Sequence, residues 1–98
     1  MSMSISTPIS FDKASAYFEK RQTNQATRIA QGVESGALTA QEATRLEARQ
    51  ARLAERLEKA QADGRFTLGE LAGLRQGFDR ASAGIHRAKH NGQVSIEA

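Results

Sequence analysis

The chain has 98 residues, of which 39% are apolar, 26% charged and 5% aromatic, with a formal net charge of +3. Alanine supplies 17 of its 38 apolar residues, which leaves 21 larger side chains to build a core, a thin one for a domain of this size. The absence of cysteine excludes disulfides, thiolate zinc sites and cysteine nucleophiles, and no apolar run approaches the roughly 20 residues that a bilayer span requires.

Residues 1–10, MSMSISTPIS, are rich in Ser, Thr and Ile, hold the single proline, Pro8, and read as a flexible tail. They lack the basic start and apolar run of a secretory signal, so the expected location is cytoplasmic. Their composition also resembles leaders of proteins exported by type III secretion, a route that needs no signal peptide.

A short element then recurs at a spacing of 28 residues: SGALTAQE from Ser35, DGRFTLGE from Asp63 and NGQVSIEA from Asn91. Gly36, Gly64 and Gly92 occupy equivalent places, where a glycine in the left-handed conformation closes the last turn of a helix. Three residues later Thr39 and Thr67 are N-caps, and Glu42 and Glu70 complete T-x-x-E capping boxes. Leu38 and Phe66 precede those caps, as the apolar half of a hydrophobic staple does, with Leu71 the partner for Phe66. The third copy has Ala98 in place of the glutamate. Val94 and Ile96 are accordingly expected in a C-terminal tail, 93–98, that packs back on the domain.

This punctuation predicts three helices within a domain spanning 11–92, over about 11–34 with Ser10 as N-cap, 40–62 and 68–90. Phe11, Ala14, Phe18, Ile29 and Val33 share one face of the first, and Leu46, Leu53, Leu57 and Ala60 one face of the second. In the third, Leu71, Leu74, Phe78, Ala81, Ile85 and Ala88 alternate spacings of three and four, a seam able to meet both neighbours. Short connections favour antiparallel packing. The expected fold is all-α, an up-down-up three-helix bundle; the alternative is a long-helix protein completed by homodimerisation. Gln22, Gln25 and Gln50 fall at seam positions between apolar residues. Glutamine polarity favours hydration where the bundle opens, and a buried, mutually paired layer is the alternative reading.

Three chemistries compete for the polar residues. D-G-x-[apolar]-T-x-x-E matches the second half of an EF-hand loop, with Gly64 at position 6 and Glu70 at position 12, which makes Asp63 and Glu70 the candidate calcium ligands. Positions 1 and 3 hold Lys59 and Gln61, however, and the corresponding residues of the earlier copy are Gln31 and Val33. A cation stands where the ion needs an anion, so caps account for Gly, Thr and Glu without calcium. His86 and His90, at i and i+4, share a helix face and form half of a zinc or nickel site whose third ligand must come from elsewhere, such as Glu97. Alternatively, with Arg87 and Lys89, they oppose the negative end of the helix dipole. A basic C-terminal patch of Arg75, Arg80, Arg87 and Lys89 offers a nucleic-acid surface, but residues 28–70 carry seven charges of each sign, unlike the dense basic stripe of dedicated binders. No phosphate loop, nucleophile elbow or H-E-x-x-H motif occurs, which argues against an enzyme.

The ordered set Arg28-Ile29, Gly36-Ala37-Leu38-Thr39, Glu42, Leu46, Ala62-Asp63-Gly64, Thr67, Leu74 and Ile85 through Asn91 resembles a group of uncharacterised small proteobacterial helical proteins with tandem G-x-L-T-x-x-E and D-G-x-[LF]-T-x-x-E elements. The resemblance spans about residues 21–92 and implies a helical fold without an established activity. The functional expectation is a non-enzymatic helical protein–protein interaction module, a small regulator or adaptor that self-associates or binds a partner. A calcium sensor built on degenerate EF-hand-like loops is the alternative.

Overall fold

The computed structural model describes the backbone of residues 11–97 and the side chains of residues 11–90. Three helices, α1 (Phe11–Ser35), α2 (Ala40–Ala62) and α3 (Leu68–Glu97), pack so that every pair is in contact, an all-α three-helix bundle with no strand among the described residues. The tail at 1–10, with Ser10 as its cap, and the side chains of Val94, Ile96 and Glu97 lie outside the described residues.

The two helical junctions form as capping chemistry dictates. Gly36 and Gly64 take φ of +82° and +81°, and their amides donate to the carbonyls of Val33 and Gln61 at 3.2 and 3.0 Å. Thr39 Oγ1 then accepts the Glu42 amide at 3.0 Å while Glu42 Oε1 accepts the Thr39 amide at 2.9 Å. Thr67 and Glu70 repeat both bonds at the start of α3. Gly92 departs from the pattern, because α3 continues through it to Glu97 rather than stopping near residue 90. A helical glycine costs only about 1 kcal/mol relative to alanine, and no T-x-x-E box follows Gly92 to nucleate a new helix in another direction.

Helix α1 differs at its C-terminal end. Val33, expected on the core face, is 46% exposed, and Gly32 is buried instead. The Leu38 amide donates to the Gly32 carbonyl at 2.9 Å, and the Leu38 side chain folds over Gly32, where a Cβ would stand 2.6 Å from Leu38 Cδ1. The loop, rather than the helical period, therefore supplies the last core residue of this junction.

The core has two apolar clusters. One gathers Ala14, Phe18, Leu53, Leu57, Ala60, Leu74, Phe78 and Ala81; Phe18 stacks on Phe78 at 5.7 Å between centroids and meets Phe66 edge-on at 5.9 Å. Phe66 and Leu71, the expected staple pair, pack against the same cluster. The other joins Ile29, Leu38, Ala43, Leu46 and Ile85, with Ala88 against it. Gln25 sits between them and is only 2% exposed, contrary to the hydration its polarity favours. Its Nε2 donates to the Phe78 carbonyl at 2.8 Å, and its Oε1 accepts from Gln50 Nε2 at 2.6 Å. Burial of Gln25 is tolerated because its amide donates to a helix carbonyl with a spare lone pair and accepts from Gln50, while Gln50 Oε1 is buried with no partner among the described residues. Gln22, one turn earlier, is half-buried.

Helix α3 approaches α2 closely through glycines. A Cβ on Gly77 would lie 2.6 Å from Leu53 Cδ2, and those on Gly73 and Gly84 would lie 3.0 Å from the guanidinium nitrogens of Arg56 and Arg49. Leu53 thus packs into α3 while the two arginines lie across it, and Arg49 Nη1 donates to the Arg80 carbonyl at 3.2 Å.

Candidate functional site

An open groove of about 630 Å³ runs between α1 and α3, lined by Arg21, Arg28, Asp79, Ser82, Ala83, His86, Arg87 and His90. It arises from the same periodicity that builds the core. Arg21 and Arg28 are seven residues apart, beside the core residues Phe18, Gln25 and Ile29, so they emerge on the flank of α1 that borders α3. Asp79, Ser82, His86 and His90 recur at spacings of three and four beside Phe78 and Ile85, on the flank of α3 that borders α1.

Among the described residues, three arginines and two histidines therefore line one groove with a single carboxylate. Arg21 Nη1 binds Asp79 Oδ1 at 2.6 Å across the helices and also reaches the Tyr17 hydroxyl at 3.4 Å. Burial opposes the charge on Arg21, but the hydrogen bonds to Asp79 and Tyr17 and their fields outweigh it, holding the guanidinium pKa above its ordinary value. Arg28 donates to Ser82 Oγ at 2.8 Å and to the Ser82 carbonyl at 3.4 Å. Both of those partners are neutral, so among the described residues no carboxylate pairs with the Arg28 guanidinium. His86 and His90 stand side by side at 4.0 Å between ring centroids, both exposed.

The residues singled out in the sequence are distributed unevenly around this feature. Arg87 lines the groove and also borders a smaller one, of about 240 Å³, between α2 and α3 beside Glu42, Arg45 and Arg49. Lys89 runs along α1, its Cε 3.5 Å from where a Gly32 Cβ would be. Arg75 and Arg80 are exposed on α3 outside the groove. The expected C-terminal patch is thus divided, while Arg21 and Arg28, neither of them among the residues expected to form a site, complete the groove from the other helix. Their heptad spacing beside the core was the available signal.

The loops do not form the geometry calcium requires. Lys59 and Gln61, at the first two ligand positions, are inside α2 rather than in a loop, and neither offers the side-chain carboxylate those positions call for. Glu70 Oε1 is held by the Thr67 amide, Glu42 Oε1 by the Thr39 amide, and Asp63 is an exposed helix C-cap. Among the described residues no three His, Asp or Glu side chains gather to hold a metal ion, which also leaves the His86–His90 pair without a third ligand there.

Compared with protein-family models, with curated proteins and with solved structures, the chain has no match. Among the described residues no helix is long and apolar enough to cross a membrane. The fold and the groove therefore define a class, a three-helix bundle with a cationic interhelical surface, and function rests on that geometry.

Proposed function

We propose that the protein is a non-enzymatic helical interaction module, a small regulator or adaptor, and that it works by binding a protein partner along the α1–α3 face. The observation that carries this reading is the concentration of Arg21, Arg28, Arg87, His86 and His90 around one groove whose one carboxylate among the described residues, Asp79, is already paired. Unlike charges interspersed over a solvated surface, a one-sign cleft steers and orients an oppositely charged partner. Binding a partner is favoured over self-association because a single chain closes both core clusters. Among the described residues the exposed large apolar side chains, Tyr17, Val33 and Leu68, lie on different turns and form no continuous patch that a second copy would need to cover.

Photocrosslinking from inside the groove tests this reading. A photoreactive phenylalanine analogue in place of Ala83, exposed on the groove wall, should give a discrete protein adduct in cells, and the same residue at Glu55 on α2 should not. An adduct at twice the mass of the chain would assign the face to self-association. Equal crosslinking from both positions, or none from either, would remove the groove as the interaction surface.

A further inference from the structure

The groove carries an indication of what it binds, because one of its cations already holds a carboxylate. Asp79 is 66% exposed at its side chain, yet it sits on Arg21 at 2.6 Å, an interhelical contact between residues 58 apart in sequence. Two to three turns further along α3, His86, Arg87 and His90 face the same space, with no acidic side chain among the described residues of the groove wall beside them. Arg28 stands between these two regions with its charge uncompensated. Near Asp79 the groove is neutralised from within, and toward His90 it is not.

We propose that this uncompensated half of the groove binds an acidic segment of a partner protein, whose Asp or Glu carboxylates sit on Arg28, His86, Arg87 and His90 as Asp79 sits on Arg21. This deepens, and rests on, the reading of the chain as a partner-binding module. Carboxylates suit the site because guanidinium groups grip them through paired, charge-assisted hydrogen bonds. The wall between the cations is formed by Ser82 and Ala83, small enough for a bound segment to lie close to α3. A nucleic acid fits less well. Single strands need exposed aromatic platforms, and here Phe18 and Phe78 are buried in the core while Phe66 packs against it. The exposed Tyr17 ring has Arg21 5.9 Å from its centroid. Duplex binders typically engage about 6–10 phosphates, whereas this groove offers three arginines, one of them already tied to Asp79.

Asp79 supplies a test that a merely structural role would not pass. In fluorescence anisotropy with a labelled oligoglutamate peptide, the full chain should bind, with affinity falling as salt rises. Arg87→Ala and the double replacement His86→Ala/His90→Ala should each weaken binding about tenfold, a loss of about 1.4 kcal/mol. Asp79→Asn frees Arg21 and removes the competing carboxylate, so it should tighten binding about threefold, roughly half of a tenfold step in free energy. Arg87, His86 and His90 are exposed, so circular dichroism should find each variant folded. No binding of oligoglutamate, or weaker binding by Asp79→Asn, would overturn the proposal. Tighter binding of a labelled oligothymidine than of the peptide, lost with Arg87→Ala, would overturn it in favour of a nucleic-acid surface. If the Ala83 position crosslinks a protein while oligoglutamate fails to bind, the carboxylate chemistry falls and the interaction module stands. Failure of both removes both.

Discussion

Gln50 donates to Gln25 across the α1–α2 interface at 2.6 Å, and Gln25 in turn donates to the Phe78 carbonyl of α3 at 2.8 Å, so two side chains link all three helices at the level where the apolar core divides. Sliding any helix by one turn would set these amides against Leu or Phe, which makes the pair a register device. Gln25→Ala removes both the donor to Phe78 and the acceptor for Gln50 and leaves a void, so it should cost about 2–3 kcal/mol. The double replacement Gln25→Leu/Gln50→Leu substitutes apolar volume for both partners and should fall much less. Urea unfolding midpoints at unchanged slope decide the matter. A double variant as destabilised as Gln25→Ala would show that the amides are not acting as a pair.

This layer also marks where reading the sequence stops. Helix number, order and the two capped junctions were legible because Gly36, Thr39, Glu42, Gly64, Thr67 and Glu70 act within a few residues of themselves, and local hydrogen bonds are encoded locally. Gln25 was not, because its burial depends on Gln50 and Phe78, 25 and 53 residues away. Gly92 resembled the other two glycines, but a glycine becomes a cap only when the chain beyond it turns, and α3 runs on. Val33 kept the helical period, yet Leu38 from the loop took the space over Gly32. The groove was half legible: His86, His90 and Arg87 stood out as a cluster in sequence, whereas Arg21 and Arg28 join them only through the packing of α1 on α3.

Ser15 should be replaceable with profit to stability. Its hydroxyl oxygen is buried in α1 with no hydrogen-bond partner among the described residues, and serine is a weaker helix former than alanine. Ser15→Ala removes an unsatisfied polar atom and gains propensity, together about 1 kcal/mol. For a domain of this size the thermal midpoint should rise by roughly 4–8 °C. A fall in the midpoint would show that the hydroxyl contributes an interaction lost with it.

The two capping boxes are equivalent in bonding and far apart along the chain, so their removal should be additive. Thr39→Ala and Thr67→Ala should each cost about 1 kcal/mol, and the double variant about 2 kcal/mol, because the sites share no partner. Chemical denaturation of all three variants measures this. A double variant no worse than either single one would mean that one junction frays without consequence for the bundle.

Three glycines separate backbone strain from packing. Gly36 has φ of +82° and open space around a would-be Cβ, so Gly36→Ala should cost about 1 kcal/mol through the left-handed backbone alone. Gly32 and Gly84 are both helical, where alanine is intrinsically better by up to about 1 kcal/mol, yet their surroundings give opposite signs. A methyl at Gly32 meets Leu38 Cδ1 and Cγ at 2.6 and 2.7 Å, and Leu38, 4% exposed, has nowhere to retreat. Overpacking of that kind costs about 1–3 kcal/mol, so Gly32→Ala should be destabilising on balance. A methyl at Gly84 meets Leu46 Cδ2 at an ordinary contact distance of 3.7 Å and Arg49 Nη1 at 3.0 Å, the tip of a long, exposed side chain that can swing aside at the loss of one exposed bond to the Arg80 carbonyl. Gly84→Ala should therefore raise the unfolding midpoint while Gly36→Ala and Gly32→Ala lower it. A stabilised Gly32→Ala would mean that Leu38 does not hold its place over the end of α1, and with it the account of how the first junction completes the core would fail.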